Sequence, residues 1–588
     1  MFRDPVCGLP LAETKEEFKT EVRGRTYRFC GEYCKRAFVR GKKIAYFSME
    51  IGLSNDIHTY SGGLGVLAGD VIKSSADLKI PLVGVTLVSK KGYLKQELKD
   101  GKQNEHTDDW LPSTVMNELP NQVELKIQNR LVKVKAWLYD YQSPSGGLVS
   151  VLFLDTDVEG NSPEDREITS FLYGGDREYR MKQEIILGIG GVKILEATGF
   201  KLGKYHMNEG HSSLLTLELL AQYGGELDAV RDLCIFTTHT PVEAGHDKFS
   251  YNIVKDLLGE IIPYETLKEL AGDNELNMTR LALNTSKYVN GVAKRHKEFS
   301  LTLFPGYNIS AITNGVHSFT WTCESFRRLY DKYLPGWANE PELLVRVDSI
   351  PDEEIWRAHM DAKEKLIRYI RERSGIQFDP NVLTLGFARR FTGYKRATLL
   401  FSNLTRLEEI NRVGKIQVVY AGKAHPRDWM GKRLIEEIHE MKEHLKDTIK
   451  IVYLENYDLQ MAAKLTSGVD VWLNTPIPPF EASGTSGMKA AHNGVINFSV
   501  LDGWWVEGCI EGVTGWAIGP SPKENLKDPE RRHREITQLY DKLEYLIIPT
   551  FYRNRDDWIM LMENSIGKVA YYFNSHRMMR RYTTEAYL

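Results

Sequence analysis

Three segments concentrate residues that can hold and move charge. Glu481-Ala482-Ser483-Gly484-Thr485-Ser486-Gly487-Met488-Lys489 joins an acid, several hydroxyls and a lysine through small residues. Such hydroxyls and backbone N–H groups can cradle a phosphate, and a lysine in a small, apolar setting can form a Schiff base. A loop leading into a helix, with an ordinary surface lysine, has the same composition, so composition alone leaves both readings open. Arg389, Arg390, Lys395 and Arg396 crowd a second loop around Thr392-Gly393. A charge run is usually a solvated face, but this one follows an apolar strand-like stretch. The guanidinium fork matches phosphate, and a loop entering a helix predicts an anion site there. Ser61-Gly62-Gly63-Leu64-Gly65 also precedes a helical stretch. Glycines permit close backbone approach and free N–H groups at a helix start bind anions, although a tight strand–helix turn explains the segment equally well.

Two histidine and cysteine groupings invite a metal. In His206-Met207-Asn208-Glu209-Gly210-His211 the spacing of five does not place both rings on one helix face. A structural or substrate-lining role is the better reading. Cys7, Cys30 and Cys34 all lie near the start of a chain with 6 cysteines in 588 residues. As thiolates they would suit a soft metal. Cys7-x22-Cys30-x3-Cys34 is no standard zinc-finger spacing, and a fourth ligand must come from elsewhere; small buried thiols are the alternative.

The elements that must position these loops alternate strand and helix. Apolar strands are expected at Ile44–Met49, Pro81–Leu87, Leu131–Leu138, Gly147–Leu154, Cys234–Thr238 and Ile309–Thr313, with helices at Val66–Leu78 and Arg177–Ala197. The stretch from Trp321 to Asp379 is helical and charged. Strands resume at Val382–Phe387, Gln417–Tyr420, Ile449–Tyr453 and Val469–Leu473, and the chain from Glu530 is helical. This alternation implies parallel sheets with helices on both faces. Ligands in such sheets bind beyond the carboxyl ends of strands. Gly62, His239, Asn314 and Arg390 all follow predicted strands, which predicts an active site between two halves.

Bulk properties narrow the function. The net charge of -3 shows no basic excess for a nucleic-acid partner. No apolar run approaches the roughly 20 residues needed to span a bilayer, and the N-terminus lacks the apolar core of a signal peptide. A cytoplasmic protein is therefore expected, and so few cysteines make no disulfide scaffold. Residues 1–42 read as a small Cys-rich module, of a size that usually needs a metal or disulfides to stay folded.

In chain order, these segments resemble the α-glucan (glycogen, starch, maltodextrin) phosphorylases over about residues 43–575. Glu481 to Thr485 with Met488-Lys489 and Asn493-Gly494 is similar to the family's cofactor segment. Leu454-Glu455-Asn456-Tyr457, Arg390 with Tyr394-Lys395-Arg396, Ser61 to Gly65, Thr238-His239-Thr240 and Thr313-Asn314-Gly315 match further segments. The resemblance implies two Rossmann-like domains facing a cleft, the GT-B architecture. The domains would be 43–320 and 381–560, with a helical connection at 321–380 and a C-terminal helical segment at 561–588. It implies phosphorolysis of α-1,4-glucan to glucose 1-phosphate with retention of configuration. Pyridoxal phosphate on Lys489 would act through its phosphate as a proton shuttle, and no protein nucleophile is required.

By the same resemblance, Thr485, Ser486, Arg389 and Tyr457 would surround the cofactor. Arg390, Lys395 and the Gly63 amide would hold substrate phosphate. His239, Asn314, Tyr394, Glu481, Ser483, Gly484 and Leu64 would line the glucosyl site. The chain departs from the long family members at Arg389 (commonly lysine), Glu209 (aspartate) and Ser486-Gly487 (Gly-Asn). Being short, it resembles the microbial branch, so the allosteric control of the long enzymes is not expected; the sequence leaves open whether the chain forms a homo-oligomer. Residues 1–42 separately resemble YHS/TRASH modules, which implies a zinc or heavy-metal ion on Cys7, Cys30 and Cys34. The competing readings are a nucleotide-sugar glucan synthase, a metal-responsive sugar-binding sensor, and a glycosidase using Glu209 and Glu481.

Overall fold

The computed structural model describes residues 43–588 apart from Asn525, together with short strand pairs and flanking residues between Phe2 and Phe29. Cys7, Cys30 and Cys34, and with them the expected metal module, lie outside the described residues.

The first half builds a mixed sheet. Its strands are β1 (Lys43–Ser48), β2 (Leu82–Leu87), β3 (Asn117–Ile127), β4 (Arg130–Gln142), β5 (Leu148–Asp155), β6 (Leu202–Asn208), β7 (Cys234–Thr237), β8 (Tyr288–Gly291) and β9 (Ser310–Ala311), in spatial order β9-β8-β7-β6-β1-β2-β5-β4-β3. From β9 to β5 neighbours run parallel; β4 and β3 close the edge antiparallel. Every residue of β2 is buried, as a parallel strand covered on both faces by helices requires. β3 and β4 alternate buried with exposed residues because one face meets water. The strand expected at Ile309–Thr313 contracts to β9, since only Ser310 and Ala311 pair with β8.

The second half builds an all-parallel sheet: β10 (Leu383–Ala388), β11 (Ile416–Ala421), β12 (Lys450–Leu454), β13 (Val471–Asn474), β14 (Ile496–Val500) and β15 (Gly515–Ile518), in order β12-β11-β10-β13-β14-β15. A mostly parallel sheet and an all-parallel sheet, each with helical cover, make a mixed α/β molecule.

Four helices matter for the site: α1 (Gly63–Asp77), α2 (Asp352–Ser374), α3 (Ser486–Ala491) and α4 (Ser575–Tyr582). α1 can lie against the loop after β1 only because Gly69 has no side chain: a Cβ there would stand 1.9 Å from Gly52 O. Asp70, Lys73 and Asp77 share one face of α1 and form a polar seam with the short helix Ser318–Trp321. Asp70 accepts the Trp321 indole N–H, Lys73 reaches Thr320, and His317 Nε2 lies 2.6 Å from Asp77 Oδ2. His576 of α4 meets the same carboxylate oxygen at 2.9 Å. The chain's last helices therefore leave the second sheet and pack on the first.

α2 anchors the connection to the second sheet through a buried triad. Lys363 Nζ lies 2.6 Å from Asp470 Oδ2, and His359 Nε2 lies 2.8 Å from Asp470 Oδ1. The Thr384 amide also donates to Asp470, and Lys363 donates to Val382 O. Removing one partner strands the other charge away from water. Lys363→Ala is expected to lower unfolding free energy by about 3–5 kcal/mol. Denaturant melts of the variant check this.

Candidate active site

Loops beyond the carboxyl ends of strands in both sheets enclose a cavity of about 440 Å³. From the first sheet come Gly63 and Leu64, which open α1 in the first crossover after β1, with His239 after β7 and Asn314 after β9. From the second come Arg389, Arg390, Tyr394 and Lys395 after β10, Tyr457 after β12, and Glu481, Ser483, Gly484, Thr485 and Ser486 after β13. Lys489, on α3, lines the same cavity. All these sequence-predicted site residues are thus brought together.

Lys489 is buried, and its Nζ stands 3.7 Å from the centre of the Trp321 ring. Among the described residues no carboxylate pairs with it. Burial lowers its ammonium pKa to about 8, with Lys73 adding to the effect and Asp70 opposing it. At mildly alkaline pH the amine is neutral, the form that reacts with a carbonyl.

Glu481 sits between two cations. Its Oε2 accepts from Arg389 Nη2 at 2.7 Å and from Lys395 Nζ at 2.5 Å. Burial pushes the carboxyl up, but Arg389 and Lys395 outweigh it and hold the pKa at about 2. Arg389 Nε and Nη1 are buried without an acceptor. Arg390 makes no ion pair among the described residues and is open to solvent. Donors therefore outnumber acceptors in this part of the cavity, which suits an anion.

The structure corrects two expectations about anion binding. The Arg389–Arg396 loop does not enter a helix: Gly393–Lys395 is a single 3-10 turn, and the next α-helix begins at Leu404. No helix N-terminus therefore adds to the charges its side chains offer. The glycine loop is also partly occupied. Glu50 Oε2 accepts from the Ser61 amide at 2.5 Å and the Gly62 amide at 3.2 Å. Of this loop, the Gly63 amide has no protein acceptor among the described residues.

The opposite wall suits hydroxyl groups. Burial lowers the His239 pKa to about 3, so the ring is neutral. Its Nε2 lies 2.7 Å from Asn208 Oδ1, and Asn208 turns its NH₂ to Ser48. The proton is thus on Nε2, and Nδ1 is left as an acceptor. Asn314 Oδ1 is buried and unpartnered. The Asn314 backbone is held by Arg577, which donates to Thr313 O at 2.7 Å and Asn314 O at 2.9 Å. Gly315 permits this approach, since a Cβ there would lie 2.2 Å from Asn574 O. Gly315→Ala is expected to destabilise the protein by about 1–3 kcal/mol, read by thermal melts.

His206 and His211 point to different partners. His206 bonds Tyr587 and Thr237 within the core, whereas His211 stands at the cavity beside Tyr173. Glu209 has φ +75 and spends its carboxylate on the Gly210 and His239 amides and the Thr240 hydroxyl. A glycosidase needs one carboxyl kept protonated as general acid, a role closed to Glu481 at about 2. Sequence reasoning missed Glu50, Trp321, Asp502 and Arg577. Glu50, directly after a predicted strand, carried a usable signal; Arg577 carried none, because its role depends on the chain returning across the molecule.

Residues 46–171 and 247–514 match the profile of the carbohydrate phosphorylase family. Maltodextrin phosphorylase of Thermococcus litoralis is 41% identical, with 92% of this chain and 70% of that protein aligned. Glycogen phosphorylase of Aquifex aeolicus is 36% identical over 93% of this chain and 86% of its own length. Glycogen phosphorylase of Mycobacterium tuberculosis is 34% identical over 92% and 70%. With a buried unpaired lysine and an excess of cations in one cleft, and with both matched segments contributing to it, this chain belongs to the carbohydrate phosphorylase family.

Proposed function

We infer that the protein is an α-glucan phosphorylase, which uses inorganic phosphate to release glucose 1-phosphate from the non-reducing ends of glycogen or maltodextrin with retained configuration. The observation that carries this reading is the unpaired Lys489 in the same cavity as Arg390 and the Arg389–Glu481–Lys395 cluster.

Members of the family use pyridoxal phosphate, and the residues here fit it. A buried lysine without a carboxylate partner suits a carbonyl cofactor. The unpartnered Arg389 nitrogens, with the Thr485 and Ser486 hydroxyls on the cavity wall, suit a phosphate. Lys489 would anchor the cofactor; Arg389, Thr485, Ser486 and Tyr457 would hold it. When bound, the cofactor supplies a phosphate group that can exchange a proton with the substrate phosphate.

The remaining work falls to the chain. Arg390, Lys395 and the Gly63 amide would offset the repulsion between two phosphates at low dielectric. His239 Nδ1 and Asn314 Oδ1 would accept sugar hydroxyl protons, with Leu64, Tyr394, Glu481, Ser483 and Gly484 completing the glucosyl wall. Residues 43–320 and 381–560 would act as the two catalytic halves, with 321–380 as their connection and 561–588 tying back to the first. A cytoplasmic location and a homo-oligomer belong to the same reading, the latter checked by light scattering. For residues 1–42 the proposal is a metal on Cys7, Cys30 and Cys34, checked by metal analysis of wild type against a Cys30→Ser, Cys34→Ser variant. Equal metal content would remove it.

The reaction is tested with a maltooligosaccharide series. Glucose 1-phosphate should form only when phosphate is present. Sugar release without phosphate would point to a glycosidase, and glucosyl transfer from a nucleotide sugar would point to a synthase.

A further inference from the structure

Glu481 is held from behind as well as in front. While its carboxylate takes Arg389 and Lys395, its backbone N–H donates to Asp502 Oδ2 at 2.8 Å. Asp502 follows β14 and is 2% exposed. The neighbouring Trp504 amide donates to Ser483 O at 2.9 Å. Gly503 between them has φ +54, and a Cβ there would stand 2.2 Å from Ser483 O. Asp502 to Trp504 therefore form a close-fitting back wall for the loop that carries Glu481.

The second carboxyl oxygen, Asp502 Oδ1, is buried and meets no donor. An ionised carboxylate in that position would leave one oxygen of a buried charge without a donor, a cost the neutral acid reduces. The titratable groups facing Asp502 are Glu481 and, from the helix Lys294–Leu303, Arg295. Arg389 and Lys395 lie one step further, on Glu481. Burial, with the Glu481 charge beside it, pushes the Asp502 carboxyl up to about 7, against the Glu481 and Gly503 amides and Arg295.

We propose that Asp502 is a positioning residue for phosphorolysis: as a neutral acid it fixes the Glu481 loop through the Glu481 amide and leaves Glu481 as the single negative charge facing Arg389 and Lys395. The proposal rests on the reading of the cleft as the phosphorolysis site. Its consequence is a linkage between phosphate and a proton. When phosphate engages Lys395, Glu481 is less neutralised, and its field favours the protonated form of Asp502. Below about pH 7 Asp502 is already neutral and nothing is exchanged. Above it, phosphate binding draws a proton onto Asp502, so affinity falls as pH rises.

The test uses the holoenzyme and the variants Asp502→Asn, which keeps the acceptor, and Asp502→Ala, which removes it. Phosphate KM is measured from pH 6 to 8.5, and phosphate binding is measured by calorimetry at pH 7.5 in buffers of different ionisation enthalpy. Phosphate's own titration is common to all three proteins and cancels in ratios. The wild-type phosphate KM relative to Asp502→Asn is expected to rise by about tenfold across the range, one pKa unit of coupling. The wild type should take up more protons on binding than Asp502→Asn. Asp502→Ala should raise KM at every pH, with Asn restoring part of the loss. A flat ratio, or equal proton uptake in wild type and Asp502→Asn, overturns the proposal. Asp502-dependent uptake without glucose 1-phosphate formation would instead uphold Asp502 and overturn the reading of the reaction.

Discussion

Lys489→Ala is expected to fold, to purify without pyridoxal phosphate, and to lose phosphorolysis by about 10²–10⁴-fold, the range that a positioned proton-transfer group contributes. Folding should survive because Lys489 has no ion-pair partner to strand; the change leaves only the Trp321 face uncovered. The readouts are the cofactor absorbance band, vitamin phosphate released on denaturation, and a thermal melt. Full activity in the variant would sink the anchoring role. The lowered lysine pKa adds a pH signature. Burial favours the neutral amine, so its population is small below about 8 and complete above it. Reloading of the apo wild type with pyridoxal phosphate should therefore accelerate as pH rises through about 8 and then level off. A rate that falls over that interval would contradict a buried, unpaired lysine.

The second large effect belongs to Arg390. Unlike Arg389 and Lys395, it has no carboxylate within ion-pair distance among the described residues, so its charge is available to an incoming anion. Arg390→Ala is expected to lower kcat/KM for phosphate by about 10²–10³-fold, as loss of one preorganised donor does. Maltooligosaccharide KM should change little, and binding of phosphate should lose part of its salt dependence. Arg390→Lys should recover only a fraction, because an ammonium keeps the charge but not the planar fork. An equal loss of glucan and phosphate affinity would mean that Arg390 supports the cleft rather than the phosphate. Lys395→Ala differs in kind: it also removes one of the two cations on Glu481 and so disturbs the loop that carries it.

Much of the fold was legible because parallel strands buried on both faces are continuous apolar runs. Val382–Phe387 and Pro81–Leu87 were visible for that reason, and β10 and β2 lie within one residue of them. Ile309–Thr313 looked similar but is mostly loop, because only Ser310 and Ala311 have a neighbour to pair with. Strand pairing is not local, and apolarity cannot report it. The same limit explains the glycine loop. Its glycines announced free amides, but Glu50 had already claimed the Ser61 and Gly62 amides.

The sequence by itself determined the alternation of strands and helices, the placement of unusual loops after strands, and the residue types offered to a cleft. These are local properties: side-chain period, backbone freedom and functional-group chemistry. Tertiary structure alone decided which charges are spent and which are free. Lys489, Arg390 and Lys395 carry the same formal charge in the sequence. Folding buries the first against an indole, leaves the second open to the cleft, and locks the third to Glu481. It also brings Arg577 and His576 back from the far end of the chain to hold Asn314 and Asp77. Charge pairing and burial depend on separations of a few ångströms between residues hundreds of positions apart, and no periodicity in the chain encodes them.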